Sequence, residues 1–167
     1  MTGDAVSARI LIAEDEVIIR MDLAEMLVAE GYDVIEQVGR GDLAVERTRE
    51  LAPDLCILDV KMPGLDGLAA ARIVVEEDLA AVVILTSFSQ RELIGEAVDV
   101  GVGAYVVKPF QASDLVPAIE VALAGRAQLQ ALAGRADEAE QRLEQRKVID
   151  RAKGTLMDAY GMGEHEA

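Results

Sequence analysis

LCILDVKMPGLDG, residues Leu55–Gly67, is the stretch that decides how the remainder of the chain folds. Leu55, Cys56, Ile57 and Leu58 form an unbroken apolar run of strand length, the pattern of a strand covered on both faces. The run ends in Asp59, and Pro63-Gly64 turns the chain directly after it. A carboxylate at the carboxyl end of a buried strand stands where open α/β sheets carry out their chemistry. Aspartate also serves as a helix cap or turn former, so its company elsewhere in the chain decides between the two roles.

Toward the amino terminus, Ile10–Ala13 is a second apolar run, closed by Glu14-Asp15-Glu16. Ile19, Leu23, Met26 and Leu27 then recur at helical spacing until Gly31 stops the helix. Val34 and Ile35 mark another strand, Gly39 and Gly41 a turn, and Leu43–Leu51 a helix that Pro53 ends. Beyond the central stretch, Leu68, Ala71, Ile73 and Val74 predict a helix after Gly67. Val82–Leu85 is a strand ending in Thr86-Ser87, Gln90–Val100 a helix stopped by Gly101, and Ala104–Val107 a strand ending in Lys108-Pro109. From Ser113, expected to cap a helix carrying Asp114, the pattern is helical again.

Alternating strands and helices call for an α/β fold, a five-stranded parallel sheet with helices on both faces, followed by a C-terminal helical extension. Right-handed crossovers place every strand's carboxyl end on one edge. Glu14, Asp15, Asp59, Thr86 and Lys108 are all expected there.

The 167 residues suffice for one ordinary domain and an appendage, and 51% are apolar, so a substantial core is available. With only two Phe, three Tyr and no Trp, aliphatic residues must fill it. A formal net charge of -15 argues against non-specific binding to nucleic acid or anionic membranes, and serves solubility. The single cysteine, Cys56, permits no intramolecular disulfide and belongs to a predicted strand. Met1–Arg9 does not resemble a signal peptide and no apolar run is long enough to span a membrane, so a cytoplasmic location is expected.

Glu14, Asp15 and Asp59 together would repel by about 4 kcal/mol per pair at ~4 Å and an effective dielectric near 20. Such a cluster persists by sharing protons or binding a cation, and all-oxygen ligands favour Mg²⁺. Lys108 can be a simple ion-pair partner, and Thr86 a strand-end β-branched residue. Taken together, a carboxylate, a divalent ion, a lysine and a hydroxyl also make a receptor for a phosphoryl group, with Asp59 as the attacking group.

AEDE at Ala13–Glu16, LDVKMPGLDG at Leu58–Gly67, LTSFS at Leu85–Ser89 and AYVVKPF at Ala104–Phe110 closely resemble the receiver domain of two-component response regulators. The resemblance implies a flavodoxin-like sheet of order 2-1-3-4-5. It implies Asp59 as phosphoacceptor for a sensor histidine kinase or phosphotransfer protein, in a protein that is not an enzyme beyond its own phosphorylation and dephosphorylation. It further implies Mg²⁺ held by Asp15, Asp59 and the backbone carbonyl of Lys61, with Glu14 acting through water. Thr86 becomes the switch hydroxyl and Tyr105 the aromatic that turns inward with it, the alternative for Tyr105 being a partly exposed strand residue. Phe88, two residues past Thr86, is expected to crowd the hydrolytic water and prolong the life of phospho-Asp59.

In the tail, Leu129, Leu132, Ala136, Ala139 and Leu143 follow 3-4 spacing, with Glu138 and Arg142 as a supporting pair. A weak coiled coil, and so a conditional homodimer, is one expectation. A helix folded back on the receiver is the other. RAKGTLM at Arg151–Met157 and the residues through Ala167 resemble the start of an ANTAR domain, the RNA-binding module of antitermination regulators. The resemblance implies RNA hairpins as targets and Arg146, Lys147, Arg151 and Lys153 as candidate contacts. Three segments are expected: a receiver over 1–125, a helical linker or coiled coil over 126–145, and a partial ANTAR domain over 146–167. The sequence stops at Ala167, where that module's next helix would begin, so either truncation or an incomplete bundle is expected.

The expected function is phosphorylation-controlled, RNA-binding transcription antitermination, with phosphorylation governing dimerisation. The alternative is a stand-alone phosphotransfer or protein-interaction receiver that never touches RNA. A metal-dependent phosphohydrolase built on Asp59 fits less well, because no second acid follows Asp59 closely and His165 lies far off in the tail.

Overall fold

A computed structural model describes the backbone of residues 7–87 and 91–160 and the side chains of residues 7–87 and 95–143. The elements are β1 (Arg9–Ala13), α1 (Val17–Ala29), β2 (Asp33–Val38), α2 (Gly41–Leu51), β3 (Leu55–Asp59), α3 (Gly67–Glu76), β4 (Ala81–Thr86), α4 (Arg91–Val100), β5 (Ala104–Val107) and α5 (Ala112–Tyr160). All strand pairs are parallel, in the order β2-β1-β3-β4-β5. The expected sheet and its strand order are therefore present, with a long C-terminal helix after them.

Every residue of β3 and β4 is buried, which explains why both read as continuous apolar runs. Alternate side chains feed two separate cores. Leu11, Ala13, Cys56, Leu58, Val82 and Ile84 pack on one face with apolar residues of α2, α3 and α4. Ile10, Ile12, Leu55, Ile57, Val83 and Leu85 pack on the other with Leu23 and Leu27 of α1 and Leu115 and Ile119 of α5.

The loop after β3 folds back tightly on the strand it leaves. The Gly67 N–H donates to the Val60 carbonyl at 2.8 Å, and a Cβ at Gly67 would stand 1.9 Å from the Asp59 carbonyl oxygen. Asp66 caps α3 by accepting the Ala69 N–H at 2.8 Å.

Two local expectations change. Gly41 is the first residue of α2, where a Cβ would lie 1.7 Å from the Leu65 carbonyl oxygen. α5 begins at Ala112, so Ser113 lies inside its first turn and does not cap it. Asp114 supplies part of the cap, its Oδ2 accepting the Gln111 N–H at 2.9 Å, the carboxylate half of a capping box. α4 starts at Arg91, and Gln90 lies outside the described residues.

The chain divides into two compact units, Met1–Arg126 and Ala127–Ala167. α5 runs without a break through Gly125 and Gly134, with Pro117 near its start. Every described side chain from 127 to 143 is exposed, Leu129, Leu132 and Leu143 among them. No helix among the described residues is long and apolar enough to cross a membrane.

Gly67→Ala should lower the unfolding free energy by about 1–3 kcal/mol, the usual cost of overpacking. Urea unfolding checks this, and an unchanged value would mean that the loop has room to yield.

Candidate functional site

β1, β3, β4 and β5 each end at one edge of the sheet in, or just before, a polar residue: Glu14, Asp59, Thr86 and Lys108. Glu14 is 0% exposed, Asp59 6% and Thr86 2%, while Asp15 is open to solvent. One carboxylate oxygen from each of Glu14, Asp15 and Asp59 lies within 4.8 Å of the others. The Lys108 Nζ donates to Glu14 Oε2 at 2.8 Å and sits 3.1 Å from Asp59 Oδ1.

The backbone holds these ends in place. The Lys108 N–H donates to the Thr86 carbonyl at 2.7 Å, Val60 to Leu85 at 3.2 Å, and Glu14 to Val38 at 3.0 Å. Glu14 Oε1 accepts the Glu16 N–H at 3.1 Å. The Arg20 Nη1 donates to the Glu14 carbonyl at 2.7 Å, an interaction absent from the sequence reading.

Burial pushes the Glu14 carboxyl up to about 7, the Lys108 hydrogen bond opposing and the nearby Asp59 charge adding to the rise. Asp59 is also raised, first by burial, with the Lys108 charge working against it. Burial disfavours the charged form of Lys108, but its hydrogen bond to Glu14 and the attraction of Asp59 prevail and raise its pKa. Lys108 thus offsets part of the negative charge, and the rest must be met by protons or a cation. Hard oxygen donors this close together suit a small divalent cation.

Beside the cluster opens a cleft of about 680 Å³ lined by Asp15, Lys61, Met62, Pro63, Asp66 and Glu96, among others. Lys61 itself is exposed, in the loop after β3. Tyr105, on β5, is 44% exposed. The structure therefore brings Glu14, Asp15, Asp59 and Lys108 together, with Thr86 at the end of the neighbouring strand β4. Phe88 lies outside the described residues. Arg146, Lys147, Arg151 and Lys153 fall on the helical backbone of α5, their side chains outside the description.

Residues 10–120 match the family model of the response regulator receiver domain. The chain belongs to the response regulator receiver family. Residues 137–167 match the model of the ANTAR domain. A transcriptional regulatory protein, PdtaR of Mycobacterium tuberculosis, is 50% identical over 163 residues, covering 98% of this chain and 80% of that protein. Chemotaxis protein CheY of Bacillus subtilis is 35% identical over 69% of this chain and 97% of its own. Among solved structures, the receiver domain of a modulated diguanylate cyclase from Desulfovibrio desulfuricans G20 superposes with a TM-score of 0.68 at 27% identity, over 74% of this chain and 98% of that one. Receiver followed by ANTAR domain makes this protein a two-component response regulator acting as an RNA-binding antiterminator.

The acid cluster of this receiver carries a pH signature. Glu14 titrates near 4.5 in the unfolded chain and near 7 when folded, so the folded state holds the extra proton between those values. The stability this contributes is complete below pH 4.5 and is lost as the pH rises through 7, with Asp59 shifted in the same direction. In EDTA, wild type should lose about 1–3 kcal/mol over that window relative to Glu14→Gln. Urea unfolding at pH 4.5 and 7.5 measures it, and parallel profiles for the two proteins would remove the assignment.

Proposed function

We propose that Asp59 is the phosphoacceptor of this response regulator. The donor is the phosphohistidine of a sensor histidine kinase or phosphotransfer protein, and the modification controls pairing of the tail and binding to RNA hairpins. The observation that supports this best is the shared position of Glu14, Asp15 and Asp59, with Lys108 within 3.1 Å of Asp59. The protein serves as a phosphorylated signal carrier in the cytoplasm, its only chemistry being its own phosphorylation and dephosphorylation.

In the forward step an Asp59 carboxylate oxygen attacks phosphorus. The bond from phosphorus to the donor's imidazole nitrogen breaks, and its electron pair leaves with the imidazole. Lys108, already beside Asp59 Oδ1, binds a phosphoryl oxygen as the carboxylate becomes an acyl phosphate. Glu14 holds its proton more strongly than an ordinary carboxyl, which lessens the repulsion at Asp59. Asp15, Asp59 and the Lys61 carbonyl would hold Mg²⁺, with Glu14 behind them. When bound, the ion neutralises the phosphoryl oxygens during transfer.

Thr86 then turns its hydroxyl toward the phosphoryl group, and Tyr105, 44% exposed on β5, follows inward. The changed surface of α4, β5 and α5 alters how the tail pairs. We assign 1–125 to the receiver, 126–145 to the linker with its Leu129, Leu132, Ala136, Ala139 and Leu143 stripe, and 146–167 to the RNA-binding part. Arg146, Lys147, Arg151 and Lys153 there approach RNA phosphates.

Asp59→Asn should abolish phosphorylation by a small-molecule phosphodonor, read by intact mass, while the circular dichroism spectrum is retained. Beryllofluoride with Mg²⁺ should raise the mass in light scattering toward the dimer and strengthen an electrophoretic shift of hairpin RNA. Equal mass and equal shift with and without the analogue would refute phosphorylation control, even if Asp59 were modified.

A further inference from the structure

Arg20 plays no part in the chemistry above, yet its guanidinium lies over the turn that carries the acids. Arg20 closes the first turn of α1, its N–H donating to the Glu16 carbonyl at 2.9 Å. Its side chain folds back so that Nη1 donates to the Glu14 carbonyl oxygen at 2.7 Å, among part-buried surroundings. The same residue is held through its preceding peptide as well, where the Glu14 N–H donates to the Val38 carbonyl at 3.0 Å. Glu14 Oε1 is engaged by the Glu16 N–H at 3.1 Å, so the corner between β1 and α1 is fastened at three points.

What admits the guanidinium is a missing side chain. A Cβ at Gly39, in the loop after β2, would stand 2.9 Å from Arg20 Nη1, 3.7 Å from the Asp15 Cα and 3.8 Å from the Glu14 carbonyl oxygen. Gly39 has no need of a left-handed backbone here; space alone makes a larger residue awkward. A guanidinium stays charged at any working pH and forms directed hydrogen bonds through its planar fork. Lys108 bonds the carboxylate oxygens themselves, whereas Arg20 bonds the main chain from which Glu14 and Asp15 project.

We propose that Arg20, seated in the slot left by Gly39, is a positioning residue for the acid cluster: it fixes the Glu14 carbonyl and so sets where the Glu14 and Asp15 carboxylates present themselves to a divalent cation. The proposal rests on the cluster being a cation site. It adds that the loop after β2, which supplies no ligand, governs the affinity of that site. Residues that orient metal ligands commonly change affinity 10–100-fold when removed.

The test is a titration of the full chain with Mg²⁺, followed by backbone amide NMR shifts, with acetyl phosphate labelling of Asp59 as a second readout. Arg20→Ala should weaken Mg²⁺ binding about tenfold. Gly39→Ala keeps the charge but crowds the guanidinium from one side, and should weaken binding in the same direction by less. The double variant should be no weaker than Arg20→Ala alone, because both changes act through one contact. Arg20→Lys, which keeps charge without the fork, should fall between wild type and Arg20→Ala. At saturating Mg²⁺ all four should label Asp59 at close to the wild-type rate, an affinity effect without a rate effect that loss of stability would not produce.

Mg²⁺ affinity within twofold of wild type in folded Arg20→Ala would overturn the proposal. So would additive losses in the double variant, or a lowered rate at saturation with unchanged affinity. If wild type itself shows no Mg²⁺-dependent shifts at Glu14, Asp15 and Asp59, the cation site and this proposal fall together. Phosphorylation of Asp59 would then stand or fall on its own labelling.

Discussion

Mutual repulsion of three carboxylates is the constraint around which this receiver is built. Glu14, Asp15 and Asp59 bring oxygens to within 4.8 Å of one another, two of the three side chains out of water. At an effective dielectric near 20 each pair of full charges at ~4 Å costs about 4 kcal/mol, comparable to a large part of a domain's net stability. The fold meets that cost with geometry. Parallel strands deliver the acids and Lys108 to one edge, so a single ammonium can serve Glu14 and Asp59 together. Glu14 meets the remainder by holding its proton up to about pH 7.

Holding the acids together also demands close backbone approach. Gly67 lets the loop after β3 return to within contact of the Asp59 carbonyl, and Gly41 lets α2 begin against the Leu65 carbonyl. Neither glycine has a positive φ, in contrast to Gly64 at +79° in the same loop. The first two are required by space and the third by conformation.

The fold was legible in the sequence where burial was two-sided. β3 and β4 are entirely buried, so their apolar runs and the polar residues closing them could be found without tertiary information. Lateral order was different: nothing in the spacing of strands says which lie side by side, and the order 2-1-3-4-5 came from family resemblance. Local details failed where two residues close in sequence competed for the same role. Ser113 has the right chemistry for a cap, but Asp114 fastens the chain one step earlier by accepting the Gln111 N–H. Arg20 was invisible because its partner is a main-chain carbonyl, which leaves no mark in the residue pattern. The tail was legible as helix, since isolated glycines such as Gly125 and Gly134 cost too little to break it.

The sheet also partitions the interior. Odd and even positions along β1 and β3 feed different cores, one shared with α2, α3 and α4, the other with α1 and α5. The buried side chains form two separate clusters, so substitutions on opposite faces should combine nearly additively. The α1–α5 compartment, which contains the root of α5, can thereby be repacked separately from the α2–α3–α4 compartment. A two-compartment interior makes diversification of output inexpensive, because repacking around α5 need not be matched by compensating changes beneath α3.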